Sequence, residues 1–305
     1  MKAYLDILRK IMDECDVLRD NRTGIPDIGL GAGAVFEHNM EDGFPLITTK
    51  KMGLKNISTE LEFFLNGITD KKWLKDRKCN IWNEWANPAK VKAECAETGA
   101  DAKAVAAEMR DLGPIYGFQW RHFGGGYQWD EARVEKNPTD NFDPKNPGFD
   151  QVKSVIDKLH NDPSDRRMIV SGWNPVEFPN MALPPCHIMH QLIVREGKIS
   201  LVWFQRSCDM FLGVPYNIAS YAMLLLLYAK ESGFRPHMLK GILADAHIYN
   251  NHFDQVKEQL SRTPHPLPTV EIPDGNWTGM LNWKAEDFVL KDYVCDDAIR
   301  APVAV

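Results

Sequence analysis

The chain lacks several things, and each absence narrows the reading. Its six cysteines, at positions 15, 79, 95, 186, 208 and 295, never form a CxxC pair. In a chain of 305 residues this spacing argues for reduced thiols, against a disulfide framework or a zinc site, and no metal is expected. No Lys/Arg block exists; the net charge is −6 and the pI about 5.9, which disfavours a nucleic-acid polymer as partner. The longest apolar stretch, Ala222 to Ala229, is far too short to span a bilayer. The opening MKAYLDILRKIMDECDVLRD places a charge after every few apolar residues, as an amphipathic helix does and a signal peptide does not. Cytoplasmic residence is the expectation. No internal repeat is visible, and helices and strands do not alternate in a regular βαβ beat.

What is present suits one α+β domain over residues 1–305, with 44% hydrophobic residues to build a core. Leu5, Leu8, Ile11 and Met12 carry helical spacing through 4–18. A Gly-rich turn leads from TGIPDIG into a strand. KNISTELEFFL (55–65) reads as a helix closed by Asn66-Gly67. Further helices are expected at 150–160, 217–233 (ending at Gly233) and 250–261. Strands are expected at 167–173, across 188–205, and briefly at 239–243, before a Pro-rich exit at 264–273. Residues 87–110, rich in Ala, Lys and Glu, predict a surface helical insertion. Residues 124–150, with three successive glycines and several X-Pro steps, predict a long exposed loop.

The chemistry concentrates in MALPPCHIMHQLIVREGKISLVWFQRSCDMFLGVPYNIASYA, Met181 to Ala222. It sets Cys186 behind two prolines, then supplies Arg206, Asp209 and Asn217. A cysteine alone usually reads as a small buried hydrophobe; nearby arginines instead favour a thiolate nucleophile. Adjacent arginines such as Arg166-Arg167 are commonly solvated, yet Arg167 leads straight into an apolar strand. Guanidinium forks suit a phosphate dianion. Glu60 is crowded by Leu61, Phe63, Phe64 and Leu65, an environment that raises a carboxyl pKa and suits proton handling. Trp82 and Trp85 serve equally as core or as a stacking platform.

Pro184-Pro185-Cys186-His187, RRMIVSGWNP and AHIYNNHFDQVKEQLSRTP closely resemble the thymidylate synthase family, and the likeness runs from Tyr4 to Val305. The resemblance implies a mixed β-sheet that forms a homodimer interface, with helices around it. It implies that Cys186 adds to C6 of dUMP while Glu60 and Tyr116 handle protons. It puts Arg22, Arg206 and Ser207 around the nucleotide phosphate, joined by Arg166 and Arg167 from the other subunit, and His187 in the substrate site. Asn217 matches the residue that selects uracil over cytosine through N3-H and O4. His247 and Tyr249 match the pair on the deoxyribose 3′-hydroxyl. The folate co-substrate, 5,10-methylenetetrahydrofolate, falls to Lys50, Ile81, Trp82, Trp85, Leu183, Asp209, Leu212, Gly213 and Tyr216. The apolar tail 301–305, with Ala304, matches a C-terminal lid whose closure expels water.

Several positions depart from the family pattern: Gly53, Glu62, Phe63, His190, Tyr216, Leu243-Ala244 and the 24–28 turn. They bear on product. Synthases quench a C5 methylene with hydride; deoxyuridylate hydroxymethylases quench it with water. Glu62 and the Tyr216 hydroxyl offer groups to hold such a water. The APVAV tail and the Trp82/Trp85 pair favour a dry site and dTMP. A catalytically silent nucleotide- or RNA-binding relative is a third reading.

Overall fold

The computed structural model describes residues 1–21, 23–275 and 277–303. Helix α1 (Lys2–Glu14) buries Tyr4, Leu5, Ile7, Leu8 and Ile11 on one stripe. The Tyr4 hydroxyl donates to the Met210 carbonyl at 2.7 Å, docking that stripe beside the site. Strands β1 (Asp27–Leu30) and β2 (Ala34–Asn39) follow. Gly33 between them has φ +70, and a Cβ there would stand 2.3 Å from the Leu243 carbonyl oxygen, so only glycine fits.

Helices α2 (Leu54–Leu65), α3 (Lys71–Asp76), α4 (Pro88–Thr98), α5 (Ala102–Glu108), α6 (Tyr116–His122), α7 (Glu131–Lys136) and α8 (Gln151–Asn161) come next. Residues 87–110 fold into the pair α4 and α5. Asn87 caps α4 with Pro88 at its first position, Gly99 ends it in the left-handed conformation, and Asp101 caps α5. Neither helix buries a residue. The expectation for 124–150 is corrected. That segment carries α7, buries Val134, and ties Asn141 to Gly67 and Thr69 in the body of the fold. Its Gly and Pro punctuation hides these long-range bonds.

The sheet comprises β3 (Ile169–Ser171), β4 (His187–Arg195), β5 (Lys198–Asp209) and β6 (Arg235–Tyr249), with β1 and β2 pairing along β6. The order is β1-β6-β5-β4-β3; β5 and β6 are parallel, and the other pairs antiparallel. The alternating run 188–205 is therefore two strands. Glu196 and Gly197, with φ 51 and 70, make the two-residue turn between them. The strand expected at 239–243 is instead 15 residues long. Neighbours on both edges hold it extended through Pro236 and Gly241, which blur its pattern. Gly241 lies under the Trp203 ring, where a Cβ would come within 2.4 Å.

Helix α9 (Gly213–Ser232) connects the two parallel strands, as a parallel pair requires. It starts four residues before the expected 217 and ends as expected at Gly233, φ 74. Apolar on nearly every side, it is the centre of the core. Helix α10 (Phe253–Ser261) and the small pair β7 (Thr269–Glu271) and β8 (Val289–Lys291) complete the fold.

Candidate active site

The topology gathers the predicted residues at one end of the sheet. Cys186 stands just before β4; Arg206, Ser207 and Asp209 close β5; Asn217 is in the first turns of α9; His247 and Tyr249 close β6. Because β4 runs antiparallel to β5, and β6 parallel, these termini coincide. Ser207 pairs in register with Asp245, and Asp209 with His247.

The Cys186 peptide is pinned from both sides. Its N–H donates to the Tyr116 hydroxyl at 2.7 Å, and its carbonyl accepts the Arg206 N–H at 2.8 Å. The Arg206 guanidinium donates from Nε to the Pro185 carbonyl and from Nη2 to the Pro184 carbonyl, each at 2.8 Å. Arg206 thus braces the loop that presents the thiol, and this occupies two of its five N–H donors. The diproline matters here because Pro carbonyls accept but the ring nitrogens cannot donate back.

Tyr116 is buried, its ring stacked between Phe64 at 4.8 Å and His187 at 4.3 Å. Burial, with Cys186 adding to it, pushes its hydroxyl well above the usual phenol range. His187 Nδ1 lies 2.9 Å from the Tyr221 hydroxyl, and burial takes the imidazole down to about 3, so it is neutral. Glu60, on α2, accepts from Trp82 Nε1 at 2.7 Å. Burial pushes its carboxyl up to about 7, against the pull of that bond.

Asn217 Oδ1 accepts from Gln205 Nε2 at 2.9 Å, and Gln205 is itself held by Trp203 Nε1 at 3.2 Å and by the Ser207 carbonyl at 3.1 Å. Sequence reading missed Gln205. The available signal was a polar residue on the inward register of β5, where Ile199, Leu201 and Trp203 are buried. His247, 3% exposed, has Nδ1 2.9 Å from the Asp245 carbonyl. Although burial opposes it, hydrogen bonding to Asp245 brings its pKa above the usual value. Its ring meets Tyr249 edge-on at 5.1 Å.

On the side assigned to folate, Trp82 is 5% exposed and Trp85 is half-buried, with Ile81 exposed. Leu183, Leu212, Gly213 and Tyr216 are half-buried. These partly open apolar faces and two indoles fit a flat aromatic ligand. Asp209 Oδ1 accepts from the N–H groups of Phe211 and Leu212 at 3.0 and 3.2 Å. Lys50 is not on that surface: it is 4% exposed, donates to the Phe211 carbonyl, and is taken down to about 7 by burial, with Asp209 opposing.

Arg166 and Arg167 are not brought to this site. They precede β3 and sit beside Gln191, whose amide donates to the Arg166 carbonyl at 2.8 Å. That position is about 17 Å from Cys186 by strand rise. Arg167 is 83% exposed and paired with Asp165. Arg22 and Ala304 lie outside the described residues. Glu62 is also turned away from Cys186's neighbours. Its carboxylate, 5% exposed, accepts from the Ala285 N–H at 2.8 Å and faces Lys284 Nζ at 3.4 Å. Tyr216 points its hydroxyl toward Gly53, 3.9 Å from where a Cβ would stand.

The fold and site define an α+β protein with a cysteine braced at the end of a mixed sheet. A family model described as thymidylate synthase matches residues 2–305. The chain is 40% identical over 305 residues to the bifunctional dihydrofolate reductase-thymidylate synthase of Paramecium tetraurelia, an alignment covering 99% of this chain and 61% of that relative. The chain belongs to the thymidylate synthase family. Among the described residues no helix is long and apolar enough to cross a membrane.

Proposed function

We propose that the protein is a thymidylate synthase, converting dUMP to dTMP through a transient bond between the Cys186 thiolate and C6 of the pyrimidine. The observation that carries the reading is the double brace on the Cys186 peptide, by Tyr116 and Arg206, beside a carboxyl group poised near neutrality. Thiolate addition makes C5 a carbon nucleophile. The folate, when bound, supplies the one-carbon unit and the hydride, and leaves as dihydrofolate.

Glu60, near 7, exchanges protons in either direction at physiological pH. Tyr116 stays a phenol, so it takes the C5 proton on its oxygen only as its own O–H proton passes on to solvent, rather than taking it as a phenolate. Neutral His187 lines the substrate site and keeps the Tyr116 ring flat beneath it. Asn217, oriented by Gln205, reads the N3-H and O4 edge of uracil. His247 and Tyr249 take the 3′-hydroxyl, and Ser207, Arg206 and Arg22 the phosphate. Trp82, Trp85, Ile81, Leu183, Leu212, Gly213, Tyr216 and Asp209 hold the folate, and the tail with Ala304 closes over it.

Arg166 and Arg167, exposed at the far end of β4, serve a second copy of the chain, completing its phosphate site across a homodimer built on the sheet. The seating of Glu62 against Ala285 and Lys284 supports dTMP over 5-hydroxymethyl-dUMP, because that carboxylate is already committed. Mass analysis of the nucleotide, with absorbance of dihydrofolate, tests the reading. A product one oxygen heavier than dTMP, with tetrahydrofolate released, overturns it. Undiminished turnover in Cys186→Ala overturns the adduct.

A further inference from the structure

Lys71, in the first turn of α3, has no part in the chemistry proposed above, yet it is 1% exposed. Its ammonium donates to three backbone carbonyls: Asn83 at 2.9 Å, Trp85 at 3.0 Å and Ala106 at 2.5 Å. An ammonium carries three hydrogens, so each has an acceptor. Burial brings the group down to about 8, Lys75 acts in the same direction and Glu108 opposes.

The three acceptors come from two different segments. Asn83 and Trp85 belong to the turn that carries the paired tryptophans. Ala106 belongs to the last turn of α5, where carbonyls lack helical partners and the helix dipole is negative. Lys75 reinforces that end, donating to the Ala107 carbonyl at 3.2 Å. The backbone is tied as well: Lys71 N–H donates to the Arg110 carbonyl at 3.0 Å, and Asn87 N–H to the Asp111 carbonyl at 2.8 Å. From the tryptophan turn the connection runs inward, because Trp82 Nε1 holds Glu60 at 2.7 Å. Trp85 also packs toward the 87–110 helices across an open cavity of about 500 Å³ lined by Val91, Cys95, Ala102 and Ala106.

We propose that Lys71 is a positioning residue that clamps the Trp82–Trp85 turn to α5, so that the 87–110 segment sets the stance of the folate-side wall and of Glu60. This rests on the reading of Trp82, Trp85 and Glu60 given above. The segment is then part of the working site, although its two helices bury no residue of their own. A buried ammonium suits this role, since it reads carbonyls from any direction and leaving three carbonyls unpaired is costly.

Lys71→Met keeps the apolar stem and removes the three donors. It is compared with wild type and with Lys75→Met for kcat and for the KM of each substrate. The KM for methylenetetrahydrofolate is expected to rise about tenfold in Lys71→Met, while the KM for dUMP stays within about twofold. The limb of the kcat profile near pH 7 moves with it. Lys75→Met, which removes only the exposed reinforcing bond to the Ala107 carbonyl, shifts the folate KM in the same direction but by less than Lys71→Met. Backbone hydrogen exchange is expected to quicken over 81–87 and 102–110 alone. Lys71→Gln, which keeps two donors, falls between the two and replaces Lys71→Met if that variant precipitates. Unchanged folate KM and pH profile would overturn the clamp, as would exchange that quickens evenly across the sheet strands. If wild type itself makes no dTMP, the reading of the site fails instead, and the exchange pattern still decides the clamp.

Discussion

The Tyr116 hydroxyl accepts the backbone N–H of Cys186 at 2.7 Å, so the phenol and the thiol-bearing residue are held as one unit. That bond joins α6 to the start of β4, two elements 70 residues apart in the chain. With Tyr116 flanked by Phe64 and His187, neither partner has room to drift. Preorganisation of this kind is what a covalent step needs.

Tyr116→Phe removes the acceptor, and with it the proposed proton relay, while keeping the stacked ring. Turnover should fall by about 10²-fold or more, with the KM for dUMP nearly unchanged. The Cys186 N–H loses its partner, so stability should also drop, by about 1–3 kcal/mol. Steady-state kinetics and urea unfolding check the two effects separately.

Trp82→Phe withdraws the hydrogen bond that favours ionised Glu60. Since burial already holds that carboxyl near 7 and the indole bond pulls it down, its pKa should rise further. The corresponding limb of the kcat profile moves to higher pH. A limb that moves to lower pH would contradict the assignment.

Asn217→Asp leaves an oxygen that still accepts from Gln205, so the side chain keeps its place. What changes is the other edge, which becomes an acceptor only. The ratio of kcat/KM for dUMP to that for dCMP should fall by about 10²-fold. Competition between the two nucleotides in one reaction measures it directly.

Glu62→Ala should weaken the fold, leaving the Ala285 N–H without its acceptor, at a cost of about 1–3 kcal/mol. The nucleotide product should remain the same as in wild type. A change in the ratio of dTMP to its hydroxymethyl analogue would show that Glu62 reaches the chemistry after all.

Acid should destabilise the protein through His187 and His190. Burial brings each down to about 3 from 6.5, so between those values the unfolded chain binds more protons than the folded one. Their contribution is complete above pH 6.5 and is lost as pH falls, at up to about 1.4 kcal/mol per pH unit for each ring. Glu60 acts the other way, its raised value favouring the fold below about 7. His190 Nδ1 has no partner among the described residues, but Nε2 lies 3.4 Å from the buried Tyr228 hydroxyl, so His190→Phe costs some stability at neutral pH and removes the titrating ring. Its loss of stability between pH 7 and 5, read by urea unfolding, should be about 2 kcal/mol smaller than wild type's.

Local pattern carried much of this protein. The apolar stripe of α1, the capped helices of 87–110, the Gly233 stop and the diproline-cysteine motif depend on neighbours within a few residues, and short-range sterics and periodicity report such features faithfully. The long β6 and the anchoring of 124–150 were not legible. Pro236, Gly241 and Asn141 look like interruptions until their partners across the sheet or body are known.

The sequence by itself determined which chemistry was on offer: a cysteine, a glutamate crowded by apolar neighbours, an amide and a set of arginines in recognisable company. Only the tertiary structure decided how they are deployed. It set Arg206 to bracing Pro184 and Pro185, took Lys50 inside, turned Glu62 onto Ala285, and left Arg166 and Arg167 at the far end of the strand. The reason is physical: a side chain's role follows from its partners and its desolvation, and strand pairing, which sets both, brings together residues hundreds of positions apart.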